Sequence, residues 1–202
     1  MVNTSYPIAA VALAHASRLL NHGPTVLISS AHGAQRNVMA AAWSMPVEFD
    51  PPRIAVVVDK RTFTRQLVEA SGQLAISIPC RALADVTYTV GSVSGHDLSV
   101  DKFHHLGIDS FDGPVLGLPL VTGCVAWLEC QVLPEAHTEQ AYDTFFVTAV
   151  SAQADPRVFA DGRWRLHDAP PQLQTLHHLG AGAFAVTQQV VQARKLAPEP
   201  KD

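Results

Sequence analysis

The sequence predicts a mainly β fold with short helices, organised as a closed barrel rather than as a doubly wound parallel sheet. Apolar runs of strand length recur at residues 26–30, 54–58 and 74–78. Residues 123–133 form a longer alternating segment that places Cys124, Ala126, Leu128, Cys130 and Val132 on one face, which is typical of strands. The helical segments between them are short, whereas a parallel sheet requires a longer helix after nearly every strand. The 202 residues can bury one sizeable core, so we expect a single domain over residues 1–202.

Turn and cap residues set the limits of the predicted elements. Thr62 is a suitable N-cap and Gly72 a suitable C-cap for a helix over residues 63–70. Asp50-Pro51-Pro52 interrupts the strand pattern, because proline cannot donate a hydrogen bond to a neighbouring strand. The other predicted elements are strands at residues 37–44 and 145–150, helices at 8–20, 82–90 and 100–105, a helical turn at 172–178, and either a strand or a helix at 183–193.

The composition favours an oligomer and argues against a nucleic-acid-binding protein. Charged residues make up only 16% of the chain, which is low for the surface of a monomer. A large subunit interface explains this value, since the cores of interfaces are depleted in charge. The net charge is −4 and no dense run of lysine and arginine occurs, so the chain has no general attraction to nucleic acid.

The cysteines and the apolar amino-terminal run predict a cytoplasmic protein. Cys80, Cys124 and Cys130 are an odd number without a CxxC spacing, as expected of small buried residues in a reducing compartment. The apolar run at residues 8–13 is too short for a membrane span and lacks the basic region that precedes a signal peptide core. The ten histidines include no pair spaced i, i+4, so we expect no metal site.

A strand of small residues at positions 37–44 is the first candidate binding element. The run Ala40-Ala41-Ala42 is flanked by Asn37, Met39 and Trp43. Small side chains allow a flat ligand to approach the backbone, whose N–H and C=O groups can hydrogen-bond the edge of a heteroaromatic ring. The alternative is a tightly packed barrel strand, because alanine is often fully buried.

A basic, hydroxyl-bearing step precedes the predicted helix at residues 63–70. Lys60, Arg61, Thr62 and Thr64 place positive charge and hydroxyl groups beside the free backbone N–H groups of a helix start. Such a combination binds phosphate. The alternative is ordinary helix capping by Thr62 with a solvated basic pair.

The third candidate is the glycine- and serine-rich segment at residues 91–103. Ser94 and Gly95 leave room for a ligand, and Lys102 adds a positive charge. The alternative is a flexible loop without a ligand. Together, the three segments suggest a site for a ligand that is both planar and negatively charged.

Taken in order, these segments resemble the flavin reductase-like, FMN-binding split-barrel family, which includes flavoredoxins and the reductase partners of two-component monooxygenases. The matching pieces are residues 23–30, 33–44, 50–52, 60–64, Ser94-Gly95, Asp101-Lys102-Phe103 and 178–184. The resemblance covers about residues 18–194 and implies a Greek-key split β-barrel followed by a short disordered carboxyl-terminal tail. It also implies a homodimer with FMN near the subunit interface.

The resemblance further implies which residues hold the cofactor. Those assigned to the isoalloxazine ring and ribityl chain are Ser29, Ser30, Asn37, Val38, Met39, Ala40, Ala41, Ala42 and Trp43. Those assigned to the phosphate and its surroundings are Lys60, Arg61, Thr62, Thr64, Ser94, Gly95 and Lys102. His96 stands where an arginine is common in the family, and it is the one candidate for a catalytic side chain, the alternative being a solvated loop histidine.

The activity that the resemblance implies is that of an FMN-dependent oxidoreductase. NADH or NADPH would pass hydride to the flavin, and the reduced flavin would pass electrons to an acceptor or a partner oxygenase. Two alternatives remain open because no nicotinamide-binding motif is visible in the sequence. One is an FMN-binding electron carrier without an NAD(P)H reaction, and the other is a non-catalytic split-barrel dimer that binds flavin, haem or nothing.

Overall fold

One large antiparallel sheet organises the chain. A computed structural model describes residues 7–187 and 189–195. Its strands are β1 (Ala9–Ala10), β2 (Val26–His32), β3 (Gln35–Ala41), β4 (Ser44–Glu48), β5 (Arg53–Val57), β6 (Gln73–Ile78), β7 (Ser110–Asp112), β8 (Pro119–Val121), β9 (Ala126–Leu133), β10 (Thr144–Ala154), β11 (Phe159–Ala160), β12 (Arg163–Trp164), β13 (Leu176–Gly180) and β14 (Ala183–Val186). Eight strands form the main sheet in the order β3-β2-β6-β9-β10-β5-β4, with β1 added against β10.

Short helices connect these strands. The α-helices are α1 (Phe63–Ser71), α2 (Ala84–Ser92), α3 (Lys102–His105) and α4 (Ala136–Tyr142), and 3₁₀ turns span Leu13–Leu19, Arg81–Leu83, Gly95–Asp97 and Pro171–Leu173. The predicted caps of α1 are present: the Thr62 hydroxyl accepts a hydrogen bond from the Arg65 N–H, and Gly72 ends the helix with a φ of 67°. The left-handed conformation at this position favours glycine.

The strand order confirms the prediction of a mainly β fold and excludes a doubly wound sheet for the described residues. Neighbouring strands of the main sheet are antiparallel throughout. The consecutive strands β5 and β6 are separated in the sheet by β9 and β10, and the consecutive strands β3 and β4 lie at its two ends. The chain therefore crosses the sheet twice instead of adding each strand beside the previous one.

Alternating side chains on the strands fill two cores, one on each face of the sheet. On β2, Val26 and Ile28 belong to the larger core, whereas Leu27 belongs to the second core. The second core also contains Val90 of α2 and Phe103 of α3, so it attaches these helices to the outer face. Each fully buried side chain of this size contributes roughly 1.5–3 kcal/mol.

Two sequence predictions about local structure are wrong. Residues 8–20 were expected to form a helix, but Ala9 and Ala10 pair with Ala154 and Gln153 of β10, and a 3₁₀ turn follows. The helical turn expected at residues 172–178 ends at Leu173, because β13 begins at Leu176 and pairs with β14. Both errors arise because strand pairing overrides local propensity: Ala9–Ala10 pairs with the distant strand β10, and Leu176–Gly180 pairs with β14 in a hairpin.

Two further outcomes concern the strands of the second half of the chain. The strand predicted at residues 123–133 begins only at Ala126, so Cys124 lies in the second core and not beside Cys130. The open choice at residues 183–193 is settled for Ala183–Val186, which form a strand. The predicted carboxyl-terminal tail falls mostly on residues 196–202, which lie outside the described residues. Within the described residues, no helix has the length and hydropathy needed to cross a membrane.

Half-buried imidazoles dock the β13–β14 hairpin onto the amino-terminal turn. The His22 ring lies 4.8 Å from the Trp164 ring and 5.5 Å from the His177 ring, and its Nε2 is 3.0 Å from the Thr175 hydroxyl. Its Nδ1 is buried without a hydrogen-bond partner among the described residues. Burial and, secondarily, the nearby His177 lower the pKa of His22 to about 4.

The stability of the fold is expected to fall in mild acid because of His22. Between its ordinary pKa of about 6.5 and the folded value of about 4, the unfolded chain binds a proton at His22 that the folded chain does not. The free energy of unfolding should therefore decrease by up to about 3 kcal/mol as the pH falls through this window. Urea unfolding at about pH 7 and about pH 5 measures the effect.

A pair of variants separates His22 from the other titrating groups. His22→Phe keeps an aromatic ring against Trp164 but cannot be protonated, so it should lose most of the pH dependence between the two conditions. His32→Phe, at the exposed end of β2, should keep it. Equal pH dependence in wild type and His22→Phe would show that the acid sensitivity has another origin.

Candidate functional site

A continuous concave surface follows strand β3. It has three lobes that all include Ala40: a polar lobe of about 360 Å³, an open lobe of about 400 Å³ and an aromatic lobe of about 260 Å³. Met39 and Asp59 are common to the polar and open lobes, and Ala41, Ala42 and His178 are common to the open and aromatic lobes. The small side chains of β3 thus form the floor of one surface and not of three separate pockets.

Among the described residues, no second strand covers the outer edge of the floor strand β3. β3 pairs with β2 only and ends the main sheet. The Val38 carbonyl accepts a hydrogen bond from the Lys102 ammonium, 3.0 Å away, so it points away from β2. Because alternate residues of a strand direct their N–H and C=O groups to the same edge, those of Ala40 face the same open side. A planar ligand can therefore find backbone donors and acceptors there.

The start of α1 and the loop after α2 form the polar lobe. The N-cap residue Thr62 and the first-turn residues Phe63 and Thr64 line it from one side, and Ser94 and Gly95 from the other. The first N–H groups of a nine-residue α-helix have no partner within the helix and carry partial positive charge. This wall of the lobe therefore favours an anion.

A buried amide crosses the floor of the polar lobe. Asn37 on β3 is 2% exposed, and its Nδ2 donates to the Thr64 hydroxyl at 2.9 Å. Its Oδ1 has no partner among the described residues. An unsatisfied buried polar atom costs about 1–3 kcal/mol, so its place in a concavity indicates a ligand group that completes its hydrogen bonding.

The lobe also contains an ammonium group. Lys102, the first residue of α3, is 3% exposed, and its Nζ donates to the carbonyl oxygens of Val38 and Val90. Burial lowers the pKa of Lys102 to about 8. The lysine therefore joins β3 to α2 and presents a partly desolvated cation to the lobe.

The basic pair predicted to bind phosphate lies nearer to solvent. The Arg61 side chain is 86% exposed, and its guanidinium pairs with Asp59 at 2.7 Å; hydrogen bonds from Arg61 lower the pKa of Asp59 to about 2. The Lys60 side chain is 66% exposed and approaches Asp143 at 3.7 Å. Arg61 does line the polar lobe, whereas Lys60 is absent from the lining of the three lobes.

Sequence reasoning did not find the aromatic lobe. Tyr88 of α2 faces His178 and Phe184 of the β13–β14 hairpin across this lobe, and the His178 and Phe184 rings lie 5.4 Å apart. The turn of the hairpin rests on Tyr88, because a Cβ at Gly182 would be 3.1 Å from that ring. Tyr88 is at least 90 positions away from His178 and Phe184 in the sequence. The local signal for this lobe was the Gly180-Ala181-Gly182 turn.

The structure brings most of the predicted site residues together, with three exceptions inside the sheet. Those that line the concave surface are Asn37, Met39, Ala40, Ala41, Ala42, Trp43, Arg61, Thr62, Thr64, Ser94, Gly95 and Lys102. Ser29, Ser30 and Val38 are fully buried and lie outside these linings. The Ser29 hydroxyl donates to the Pro119 carbonyl and the Ser30 hydroxyl to the Gln73 carbonyl, so both are used within the fold.

His96 lies beside the polar lobe and not in its lining. Its ring is exposed and packs edge-on against Phe63, with 5.3 Å between ring centroids. Its backbone N–H donates to the Ser94 hydroxyl at the start of the 3₁₀ turn. In the described part of the chain, no group of three or more histidine, cysteine, aspartate or glutamate side chains is arranged to hold a metal ion.

Comparisons with known proteins agree with this arrangement. The family model for the Flavin reductase like domain matches residues 17–167. The uncharacterized protein YddH of Escherichia coli K12 is 56% identical over 180 residues, which cover 88% of this chain and 93% of YddH.

Solved structures of similar proteins define the fold. An FMN-binding domain of a flavin reductases-like enzyme from Shewanella baltica is 41% identical, with a TM-score of 0.91, and the match covers 94% of this chain and 98% of that chain. The flavoredoxin of Desulfovibrio vulgaris has a TM-score of 0.72 at 22% identity, covering 85% of this chain and 90% of its own. The split-barrel fold implied by the sequence resemblance is thereby confirmed.

Proposed function

The chain belongs to the Flavin reductase like domain family, and from this premise we propose that its concave surface binds FMN and that the protein is an oxidoreductase of the flavin reductase type. The observation that carries the proposal is the junction of the polar lobe with the floor strand. An anion-binding helix start, hydroxyl groups and a buried ammonium lie at one end of a strand whose small side chains and free edge suit a flat ring.

The polar lobe fits a phosphate monoester. Such a group carries a charge near −2 and three strong acceptor oxygens. Thr64 and Ser94 supply hydroxyl groups, the first turn of α1 supplies N–H groups, and Lys102 supplies charge. The Thr62 hydroxyl donates to the Asp59 carbonyl, so Thr62 contributes as the N-cap that fixes this helix start. Arg61 would contribute from the rim of the lobe, and Lys60 would add to the local positive field from a greater distance.

The floor of the surface fits an isoalloxazine ring. Ala40, Ala41 and Ala42 project no more than a methyl group each, and the open edge of β3 offers backbone hydrogen bonds to the polar edge of the ring. The remaining sequence-assigned residues, Ser29, Ser30 and Val38, would act beneath this floor by fixing the strand pair β2–β3.

Bound FMN would accept hydride from NADH or NADPH and deliver electrons to an acceptor such as a small molecule or a partner oxygenase. The residues of this chain bind and orient the reactants. His178, Tyr88 and Phe184 form the wall of the aromatic lobe beside the floor strand, where they restrict water and offer a planar surface. No residue is proposed as a nucleophile. His96, beside the polar lobe, is kept as a candidate catalytic side chain.

We also propose a cytoplasmic homodimer formed through the free edge of β4. Four large apolar side chains occupy alternate positions of β4 and the residues that flank it, and they are exposed: Trp43 by 75%, Met45 by 60%, Val47 by 44% and Phe49 by 70%. An exposed apolar edge strand is a site for association. Trp43 belongs both to this row and to the open lobe, which would bring the partner subunit close to the ring. The three free, buried cysteines suit a reducing compartment.

The visible spectrum of the purified protein tests the cofactor, and anaerobic mixing tests the reaction. We expect the flavin absorbance of copurified or added FMN, and its rapid bleaching by NADH or NADPH. Binding of FMN without bleaching by either nicotinamide would favour an electron carrier. Failure of FMN to copurify or bind would contradict both flavin functions.

Gly95→Ala is expected to weaken FMN binding without unfolding the protein. A Cβ at this position would lie 2.8 Å from Asn37 Oδ1 and 3.0 Å from Nδ2, so the Asn37 amide must move from its place in the polar lobe. We expect the dissociation constant for FMN to rise about tenfold, which corresponds to about 1.4 kcal/mol. Fluorescence titration measures it, and the melting temperature serves as the folding control. Wild-type affinity for FMN in this variant would show that the Asn37–Gly95 contact does not contribute to FMN binding.

Val47→Glu with Phe49→Glu is expected to convert the dimer to a monomer. Two carboxylates would have to be buried without partners in the apolar row, and this is strongly unfavourable. The molar mass from light scattering gives the result. Val100→Glu is the matched control, since Val100 is 44% exposed like Val47 but lies outside β4. A wild type that is monomeric, or a double variant that stays dimeric, would contradict this interface.

A further inference from the structure

Lys102 is a buried cation whose charge has no acidic partner. Its Nζ donates to the Val90 carbonyl at 2.8 Å and to the Val38 carbonyl at 3.0 Å. An ammonium group has three N–H donors, so one donor remains after these two bonds. No carboxylate of the described residues lies within 4.0 Å of Nζ, although the residue is only 3% exposed.

Such a group is costly unless something compensates it. A buried charge is normally paired or fully hydrogen-bonded, and here burial alone lowers the pKa of Lys102 to about 8. The group lines the polar lobe together with the unpartnered Asn37 Oδ1. An anion placed in this lobe would supply the missing compensation to the ammonium.

Arg61 and Lys60, the other cations that the sequence assigns to the phosphate, are already compensated. Arg61 is bound to the Asp59 carboxylate through Nε and Nη2, and Lys60 faces Asp143. Both side chains are mostly exposed, where water screens their attraction to a ligand and each pair contributes little. A phosphate would have to compete with Asp59 for Arg61, whereas it would meet Lys102 uncontested.

We propose that Lys102 is the residue by which this site distinguishes a phosphorylated flavin from the same flavin without its phosphate, and that it does so only while its ammonium is charged. The inference rests on the proposed function and extends it from the identity of the cofactor to the origin of its selectivity. Lys60 and Arg61, which the sequence also assigns to the phosphate, then contribute to the general field and not to the discrimination.

The direction of the pH effect follows from the charges. The second pKa of a phosphate monoester is about 6, so the ligand is a dianion above neutrality. A dianion beside Lys102 raises its pKa above the value of about 8 in the free protein, so binding above pH 8 takes up a proton. The affinity for the phosphorylated flavin must therefore fall as the pH rises above about 8, by at most about tenfold per pH unit.

The other charged groups near the lobe are paired or exposed. Asp59 and Arg61 form a pair in the lobe lining, Asp101 pairs with Arg36 at 3.2 Å, and the Asp97 and His96 side chains lie on the exposed 3₁₀ turn. His104 and His105 follow on α3.

The test compares FMN and riboflavin, which carry the same ring. Dissociation constants for both flavins are measured by fluorescence titration of the full chain at about pH 7.5 and about pH 9.5, and their ratio gives the preference for the phosphate. Titration of the ring itself cancels in this ratio. We expect the wild-type preference for FMN to fall roughly tenfold or more between the two pH values.

Lys102→Met and Lys195→Met provide the variant and its matched control. Lys102→Met should lose most of the preference at about pH 7.5 and show none of the pH dependence, while still binding riboflavin. Lys195→Met removes one exposed lysine charge outside the lobe lining and should behave as wild type. Thermal unfolding confirms that each variant is folded, and the wild-type pH profile stands even if Lys102→Met does not fold.

Each outcome bears on a different claim. If neither flavin binds the wild type, the proposed function fails. If both bind and the wild-type preference for FMN is independent of pH, or if Lys102→Met retains the preference, the assignment to Lys102 is overturned while the flavin site stands.

Discussion

The separation of β3 from β4 is the constraint on which the site and the proposed interface depend. The two strands are consecutive, joined only through Ala42 and Trp43, yet they lie at opposite ends of the main sheet. A barrel closed by hydrogen bonds between them would have no free edges. Here the edge of β3 becomes the floor of the concave surface, and the edge of β4 carries the exposed apolar row. One topological gap therefore provides both surfaces, and Trp43 belongs to each.

Two buried cations on neighbouring elements serve opposite purposes. Arg65 of α1 donates to the Val58 and Glu139 carbonyls and to the Glu69 carboxylate, and its guanidinium lies 4.4 Å from the centre of the Phe145 ring. Its charge is fully used in fixing α1 to the sheet. Lys102 has only two carbonyl partners. Arg65 therefore stabilises the scaffold. Lys102 leaves one N–H donor for a ligand, and such incompletely satisfied groups are common at functional sites.

The sequence predicts those parts of the fold and site that are decided locally. Helix α1 follows from Thr62, Gly72 and the spacing between them, and the strands β2, β5 and β6 follow from short apolar runs with clear ends. What the sequence could not predict depends on strand pairing that overrides local propensity. Ala9–Ala10 joins the distant strand β10, and Leu176–Gly180 forms a hairpin with β14. Ser29 and Ser30 resemble ligand donors in a linear pattern, but the folded chain surrounds both hydroxyl groups with its own acceptors.

The aromatic lobe shows why local patterns find one side of this site and miss the other. The polar lobe is built from helix starts and loops, and their cap residues can be recognised within single segments of the sequence. The aromatic lobe forms because the β13–β14 hairpin reaches Tyr88 of α2. The hairpin is held there by contacts of His177 and Thr175 with the His22 ring. The same imidazole cluster that makes the fold sensitive to acid therefore positions His178 and Phe184. Protonation of His22 would weaken the wall of the aromatic lobe while leaving the polar lobe, which no part of the hairpin lines, in place.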